Sequence, residues 1–261
     1  MQGYLRTSGR VFVDDSGSTV QLRGFGLGGW LVQEGYMWNT SGFYGSTSMI
    51  QQEIIELVGD STASQFYNDY YLAYITETDV IQLSDWGFNC LRVPFHYKFF
   101  SPDTGVFVED GFNILDPLLE WCSNNQIYII LDMHCAPGGQ NRNDFSDGDG
   151  NEAGLWAHEY NRDWTVAIWQ YIANHYAESE WIGGYDLINE PVLEGNFTSG
   201  DLRQFYIDIA DAIRTVDQNH ILFIEGNWYG NDFTSLTPPF DDNMAYSFHH
   251  YVGPSDQTSW V

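Results

Sequence analysis

The chain is short of cations. Lys98 is its only lysine, and with eight arginines it makes 9 basic residues against 36 acidic ones, a net charge of −27 and a pI near 4.1. A surface of that sign repels phosphate backbones and anionic headgroups, so nucleic acid and acidic membranes are poor partners. Long hydrophobic runs are also missing. Nothing approaches the roughly 18 apolar residues of a membrane span, and the opening MQGYLRTSGRVFVDD lacks the apolar core of a secretory signal, so the chain reads as soluble. Cysteine is scarce and odd in number. Cys90, Cys122 and Cys135 show no CxxC spacing, and buried thiols are favoured over a disulfide. No linker, composition shift or repeat divides the sequence, so residues 1–261 read as one domain.

Aromatic side chains, by contrast, are plentiful: 10 Trp, 17 Tyr and 17 Phe. An acidic, aromatic-rich and cation-poor surface suits uncharged sugars, whose C–H faces stack on rings; an aromatic core explains the same composition equally well. Short apolar runs recur at 20–30, 88–95, 127–134, 182–190, 220–227 and 244–251, each continuously apolar as strands buried on both faces are. Helical patterns lie between them, at 46–58, 64–86, 117–125 (with Asp116 as N-cap and Pro117 in the first turn), 158–178 and 201–216. A hairpin over 10–22, turned at Asp15–Ser18, precedes the alternation.

Strand and helix in alternation predict an α/β fold with a parallel sheet, either an open doubly wound sheet or a (β/α)8 barrel. The glycines of GFGLGGW (24–30) do not lead into a helix start, which argues against a nucleotide-binding sheet. Polar residues instead gather where the apolar runs end: Arg92, Asp132 and His134, Asn189 and Glu190, Glu225 and Asn227, His249 and Tyr251. In a barrel those ends converge on one mouth, where the active sites of that fold lie. The barrel is the expectation.

Glu190, in Asn189-Glu190-Pro191, sits where desolvation can raise a carboxyl's pKa toward that of a general acid, with a rim salt bridge as the plainer alternative. Arg92 supplies a permanent cation able to hold a carboxylate in a fixed geometry, or an ordinary structural pair. Asp132, His134 and His249 also leave a metal-dependent hydrolase open, although no HxH or HExxH pattern occurs. The acidic run 144–152 matches a calcium loop only in part and reads as a solvated loop.

Five motifs in order, GFNCLRVPFHY (87–97), LDMHCAPGGQN (131–141), YDLINEP (185–191), FIEGNWYG (223–230) and YSFHHY (246–251), strongly resemble glycoside hydrolase family 5, the cellulase and β-glucanase family of retaining (β/α)8 barrels. VDDSGSTVQLRGFGLGGWL (13–31) is similar to that family's N-terminal hairpin and first strand. The resemblance implies Glu190 as acid/base, with Asn189 beside it on the sugar 2-hydroxyl. Arg92, His134, His249 and Tyr251 would line the subsite where the bond breaks, and Trp30, Tyr97 and Trp228 would serve as sugar platforms. It implies a β-glucan or cello-oligosaccharide substrate, no cofactor, no metal, and secretion.

A retaining glycosidase needs two carboxyls roughly 5–5.5 Å apart. In the family that Glu190 matches, the nucleophile is a glutamate ending a seventh strand. The sequence runs only just past a sixth, so the expectation is an incomplete barrel lacking strands 7 and 8, with the family nucleophile absent. Glu225 is the one motif carboxylate available as a substitute, with substrate hydrogen bonding or support of Trp228 as its more natural role. Open sheet edges would favour a homo-oligomer. The function expected is hydrolysis of β-1,4 or mixed-linkage glucan; the alternative is a sugar-binding remnant that has lost turnover.

Overall fold

The structure, a computed structural model, describes residues 3–40 and 45–251. The rest of the span 1–261 expected to form one domain lies outside the described residues. A small antiparallel sheet comes first, built of β1 (Arg6–Ser8), β2 (Val11–Val13) and β3 (Thr19–Val20) in the order β1-β2-β3. The expected hairpin is β2–β3. Its turn is stapled by Asp14, whose carboxylate accepts from Ser16 N (3.0 Å), Ser16 Oγ (2.5 Å) and Ser18 N (3.1 Å). β1 was not anticipated, because RTS carries no apolar signal of its own.

Six parallel strands follow among the described residues: β4 (Gly24–Gly26), β5 (Cys90–His96), β6 (Tyr128–Cys135), β7 (Ile182–Asp186), β8 (Ile221–Glu225) and β9 (Met244–Ser247). They pair strictly in chain order, β4 through β9, curling into an incomplete (β/α)8 barrel. The apolar runs located each of these six strands; they ran past the ends of β4, β7, β8 and β9, while β5 and β6 end one residue beyond theirs, at His96 and Cys135. Val20 belongs to β3, residues 187–190 leave the ladder after Asp186, and residues 248–251 lie beyond β9. Arg92, Asp132, Asp186 and Glu225 stay within the ladder, whereas Glu190 and His249 lie beyond it.

The helices are α1 (Thr47–Val58), α2 (Asp60–Ala73), α3 (Glu77–Asp85), α4 (Asp110–Asn124), the single turn α5 (Gly154–Ala157), α6 (Glu159–Tyr176) and α7 (Ser199–Arg214). The pattern at 64–86 is two helices rather than one. Tyr74 caps the end of the first, and Thr76 starts the second through a capping box with Asp79. α4 begins seven residues before Pro117, which therefore lies inside the helix, and Asp116 is not its cap. Burial of Phe112, Leu115, Leu118 and Cys122 on one face carries the helix through the missing amide donor. The Asp116 carboxylate instead accepts from Tyr176 Oη at 2.9 Å. All three cysteines are free and buried.

One large core fills the space between sheet and helices, and a smaller cluster of Leu5, Val20, Tyr128, Ile221 and Phe223 closes the lower end under the small sheet. β4 and β9 are the two outer strands of the parallel sheet, and Phe25 on β4 is exposed.

Candidate active site

Arg92, on β5, is the hub of the mouth. Its Nη1 lies 2.9 Å from Asp132 Oδ2 on β6, its Nε and Nη2 lie 2.9 Å from Asp186 Oδ2 on β7, and Nη2 donates to Glu225 Oε1 on β8 at 3.1 Å. Four neighbouring strands thus send one charged side chain each to one point. Asp132 and Asp186 are direct partners across the β6–β7 ladder. Burial works against the guanidinium charge, but the three carboxylates outweigh it and hold its pKa above the usual value. Burial, followed by the Glu225 charge, pushes Asp186 well above the ordinary aspartate range. Asp132 Oδ1 and Asp186 Oδ1 are both buried without a hydrogen-bond partner among the described residues.

Glu190 stands on the loop after β7, in a left-handed conformation (φ 47°) that costs a non-glycine residue about 1–2 kcal/mol. The surroundings hold it there. Its N–H donates to Glu225 Oε2 at 2.7 Å, and its carbonyl accepts from Asn141 Nδ2 at 2.9 Å. Asn189 is fixed likewise: Arg92 Nη2 donates to its Oδ1 (2.9 Å), and Gln140 Nε2 donates to its carbonyl (2.8 Å). The Glu190 backbone is thus held directly by Glu225 and Asn141, and that of its neighbour Asn189 by Gln140.

His249 joins the two glutamates. Its Nδ1 is 2.5 Å from Glu190 Oε1 and its Nε2 is 3.0 Å from Glu225 Oε1. Burial pulls the imidazolium pKa down, but hydrogen bonds to Glu190 and Glu225 override this and raise it to about 10. At neutral pH both ring nitrogens are donors. His134 Nδ1 lies 2.7 Å from Asp132 Oδ2, and its Nε2 is 3.5 Å from Asn189 Nδ2, a pattern that leaves Nε2 as an acceptor.

The remaining expected residues divide. Trp228 is 58% exposed, at the head of a turn over 227–230 in which Trp228 (φ 54°), Tyr229 (φ 58°) and Gly230 (φ 74°) are all left-handed. Asn143 Nδ2 braces that turn by donating to Tyr229 Oη at 3.0 Å. Tyr251 is exposed; partial desolvation and the carboxylates of Glu190 and Glu34 push its phenol pKa upward. Trp30 is 1% exposed, its ring stacked on Tyr74 and its Nε1 donating to Tyr71 O, so the expected sugar platform is a core residue. The GFGLGGW run points it inward because Tyr70 and Tyr74 hydroxyls bind the carbonyls of Gly29 and Gly28. Tyr97 packs edge-on against Trp164 (5.0 Å) and beside His96, half-buried and away from the Arg92 cluster. Glu225 is 0% exposed, with its oxygens committed to Arg92, His249 and the Glu190 amide.

Sequence reasoning missed Gln140, Asn141, Asp186 and Glu34. Burial raises the Glu34 pKa against the pull of His134, and Asp144, Glu190 and Asp132 raise it further, which puts its carboxyl in the field of the same mouth. Asp186 carried a signal, a lone acid inside an apolar strand. Glu34 carried none. As for the metal alternative, Asp132 and His134 bond each other and His249 bonds the glutamates. Among the described residues no group of three or more His, Cys, Asp and Glu side chains is arranged to hold a metal ion.

A parallel sheet curling as a partial barrel, with an arginine, two histidines, an Asn-Glu pair and exposed aromatics gathered at one mouth, defines an incomplete (β/α)8-barrel chain. Residues 47–260 match the cellulase profile of glycosyl hydrolase family 5. The chain is 34% identical over 252 residues to a β-xylosidase of Phanerodontia chrysosporium (95% of this chain, 52% of the relative). It is 30% identical over 190 residues to endoglucanase C of Acetivibrio thermocellus (71% of this chain, 53% of the relative). The fold is shared with the crystal structure of a rutinosidase from Aspergillus niger at a TM-score of 0.76 and 18% identity, covering 89% of this chain and 70% of that one. The chain belongs to glycosyl hydrolase family 5, and it spans about half the length of the curated relatives it matches.

Proposed function

We propose that the chain cleaves O-glycosidic bonds of β-glucans, cellulose-like β-1,4 or mixed-linkage, with Glu190 as the acid/base. The observation that supports this most is the Glu190–His249 contact of 2.5 Å. In a retaining cycle the acid/base gives its proton to the leaving oxygen and takes one back from the attacking water, and His249, with both ring nitrogens donating, orients the Glu190 carboxyl for that exchange. Asn189, with its amide oxygen tied to Arg92, turns its Nδ2 toward His134 and is placed for the sugar 2-hydroxyl. Trp228 and Tyr251 offer exposed rings on which pyranose faces stack.

Glu225 serves in this reading as an anchor. A nucleophile has to approach the anomeric carbon with a free oxygen, and both Glu225 oxygens accept hydrogen bonds in a closed environment. The second carboxyl of a retaining mechanism would come from outside the described residues. Among the described residues the outer strands β4 and β9 pair on one side only, and a second copy of the chain would seat on the other, so a homo-oligomer is part of the proposal. The commitment of Glu225 also favours a second reading, a sugar-binding chain without turnover. A polymeric substrate places the protein outside the cell, since polymers do not cross membranes; among the described residues no helix is long and apolar enough to span one.

Reducing-sugar release from soluble mixed-linkage β-glucan and carboxymethyl cellulose, with the mass in solution measured by light scattering in the same run, tests the proposal. Release that follows an oligomeric species supports it. Binding of cello-oligosaccharide without any release selects the second reading.

A further inference from the structure

A cleft of about 480 Å³ opens between α1, α2 and α4, away from the Arg92 cluster. We propose that it is a second carbohydrate site, taking a neutral gluco-oligosaccharide independently of the catalytic mouth. The choice of sugar rests on the glycoside-hydrolase reading; the site itself does not.

The volume lies within the range of small-molecule sites. One wall is aromatic. Tyr67 and Tyr71 of α2 stack with ring centres 5.7 Å apart and planes 28° from parallel, and Phe99 meets Tyr71 edge-on at 5.1 Å. The exposed amides of Asn68 on α2 and Asn113 on α4 also line the cleft, so ring faces and hydrogen-bonding groups face one space. Such a pairing suits a pyranose, which has an apolar C–H face and equatorial hydroxyls.

Charge narrows the ligand. On a chain of net charge −27 this cleft is lined by one lysine and one aspartate, Lys98 and Asp110, which balance. Lys98 is already engaged, its Nζ 3.0 Å from Ser48 Oγ and 3.8 Å from Asp147 Oδ2. An anion therefore finds no free counter-charge here, whereas a neutral polyol needs none.

An independent observation comes from Gln33, which is 1% exposed. Its N–H donates to Thr47 Oγ1 (2.9 Å), its carbonyl accepts from Thr47 Oγ1 (3.0 Å), and its Oε1 accepts from Tyr67 Oη (3.1 Å); both partners line the cleft. Its Nε2 has no acceptor among the described residues. A buried donor left without a partner costs about 1–3 kcal/mol, and this one belongs to the side chain whose oxygen is held by Tyr67 of the cleft wall. The next residue, Glu34, lies in the field of the catalytic mouth, so cleft and mouth share one stretch of chain.

Calorimetric titration of cellotetraose and of laminaritetraose into the wild type, an Asn68→Ala/Asn113→Ala double variant and a Trp228→Ala variant tests this. Both asparagines are exposed, and an unchanged thermal midpoint confirms that the double variant folds. The expected result is two classes of site for at least one sugar, one of them weakened about tenfold or more in the double variant and retained in Trp228→Ala. Sugar binding that the double variant leaves unchanged, or no binding of either sugar, overturns the proposal. Binding lost only in Trp228→Ala leaves the mouth reading standing without the cleft; binding lost only in the double variant does the reverse.

Discussion

His249 Nδ1 stands 2.5 Å from Glu190 Oε1, across a gap that joins the end of the sixth barrel strand to the loop after the fourth. The contact connects two parts of the chain 59 residues apart. It gives the candidate acid a proton-bearing neighbour whose pKa is raised to about 10.

That value predicts a pH dependence of stability. The folded-state pKa of His249 lies above the ordinary 6.5, so its contribution is complete below pH 6.5, shrinks as pH climbs from 6.5 to about 10, and is gone above. Thermal midpoints measured across that interval should decline in the wild type. In His249→Gln the part of the decline owed to this residue should vanish.

Arg92 is bound to three buried or nearly buried carboxylates. Arg92→Met leaves them uncompensated and should cost about 3–5 kcal/mol in chemical denaturation, more than any single substitution on the exposed rim. Equal stability of the variant would mean that the cluster contributes nothing to the fold.

Asp186→Asn is expected to behave oppositely. The Asp186 pKa is raised in the fold, by burial first and then by Glu225, so its contribution is complete below pH 3.8 and is lost as pH rises through the folded value. The amide, neutral at every pH, removes that loss. At pH 7 its denaturation midpoint should equal or exceed that of the wild type. Asp132→Asn, which removes the charge holding Arg92 and His134, should lower it.

How much of this was legible in the sequence depended on whether a residue's role is local. The apolar runs found β5 to β8 because burial on both faces leaves a continuous signature, whereas β4 is exposed and β9 mostly half-buried. The runs overshot β7 and β9, since Ile188 and Phe248 are apolar yet lie beyond the ladder. Arg92, Asn189, Glu190, Glu225 and His249 stood out as polar residues within or just after apolar runs; the structure brings all five together, Arg92 and Glu225 on strands and the other three on the loops that follow them. Trp30 was misplaced: an aromatic at a strand end looks the same whether it faces a ligand or, as here, is turned inward by tyrosines 40 and more residues away. Glu34 was invisible for the same reason, its environment being made by His134, Asp144 and Glu190. Pro117 misled through a sound local rule that the apolar face of α4 overrode.

The proposed role of Glu190, supplying the proton in glycosidic cleavage, is tested by Glu190→Gln, with reducing-sugar release from β-glucan and calorimetric binding of cellotetraose measured on the same preparation. Hydrolysis should disappear while binding stays within a few-fold of the wild type, because the amide keeps the shape and the His249 contact but has no acidic proton to transfer. Hydrolysis at the wild-type rate in Glu190→Gln would contradict it.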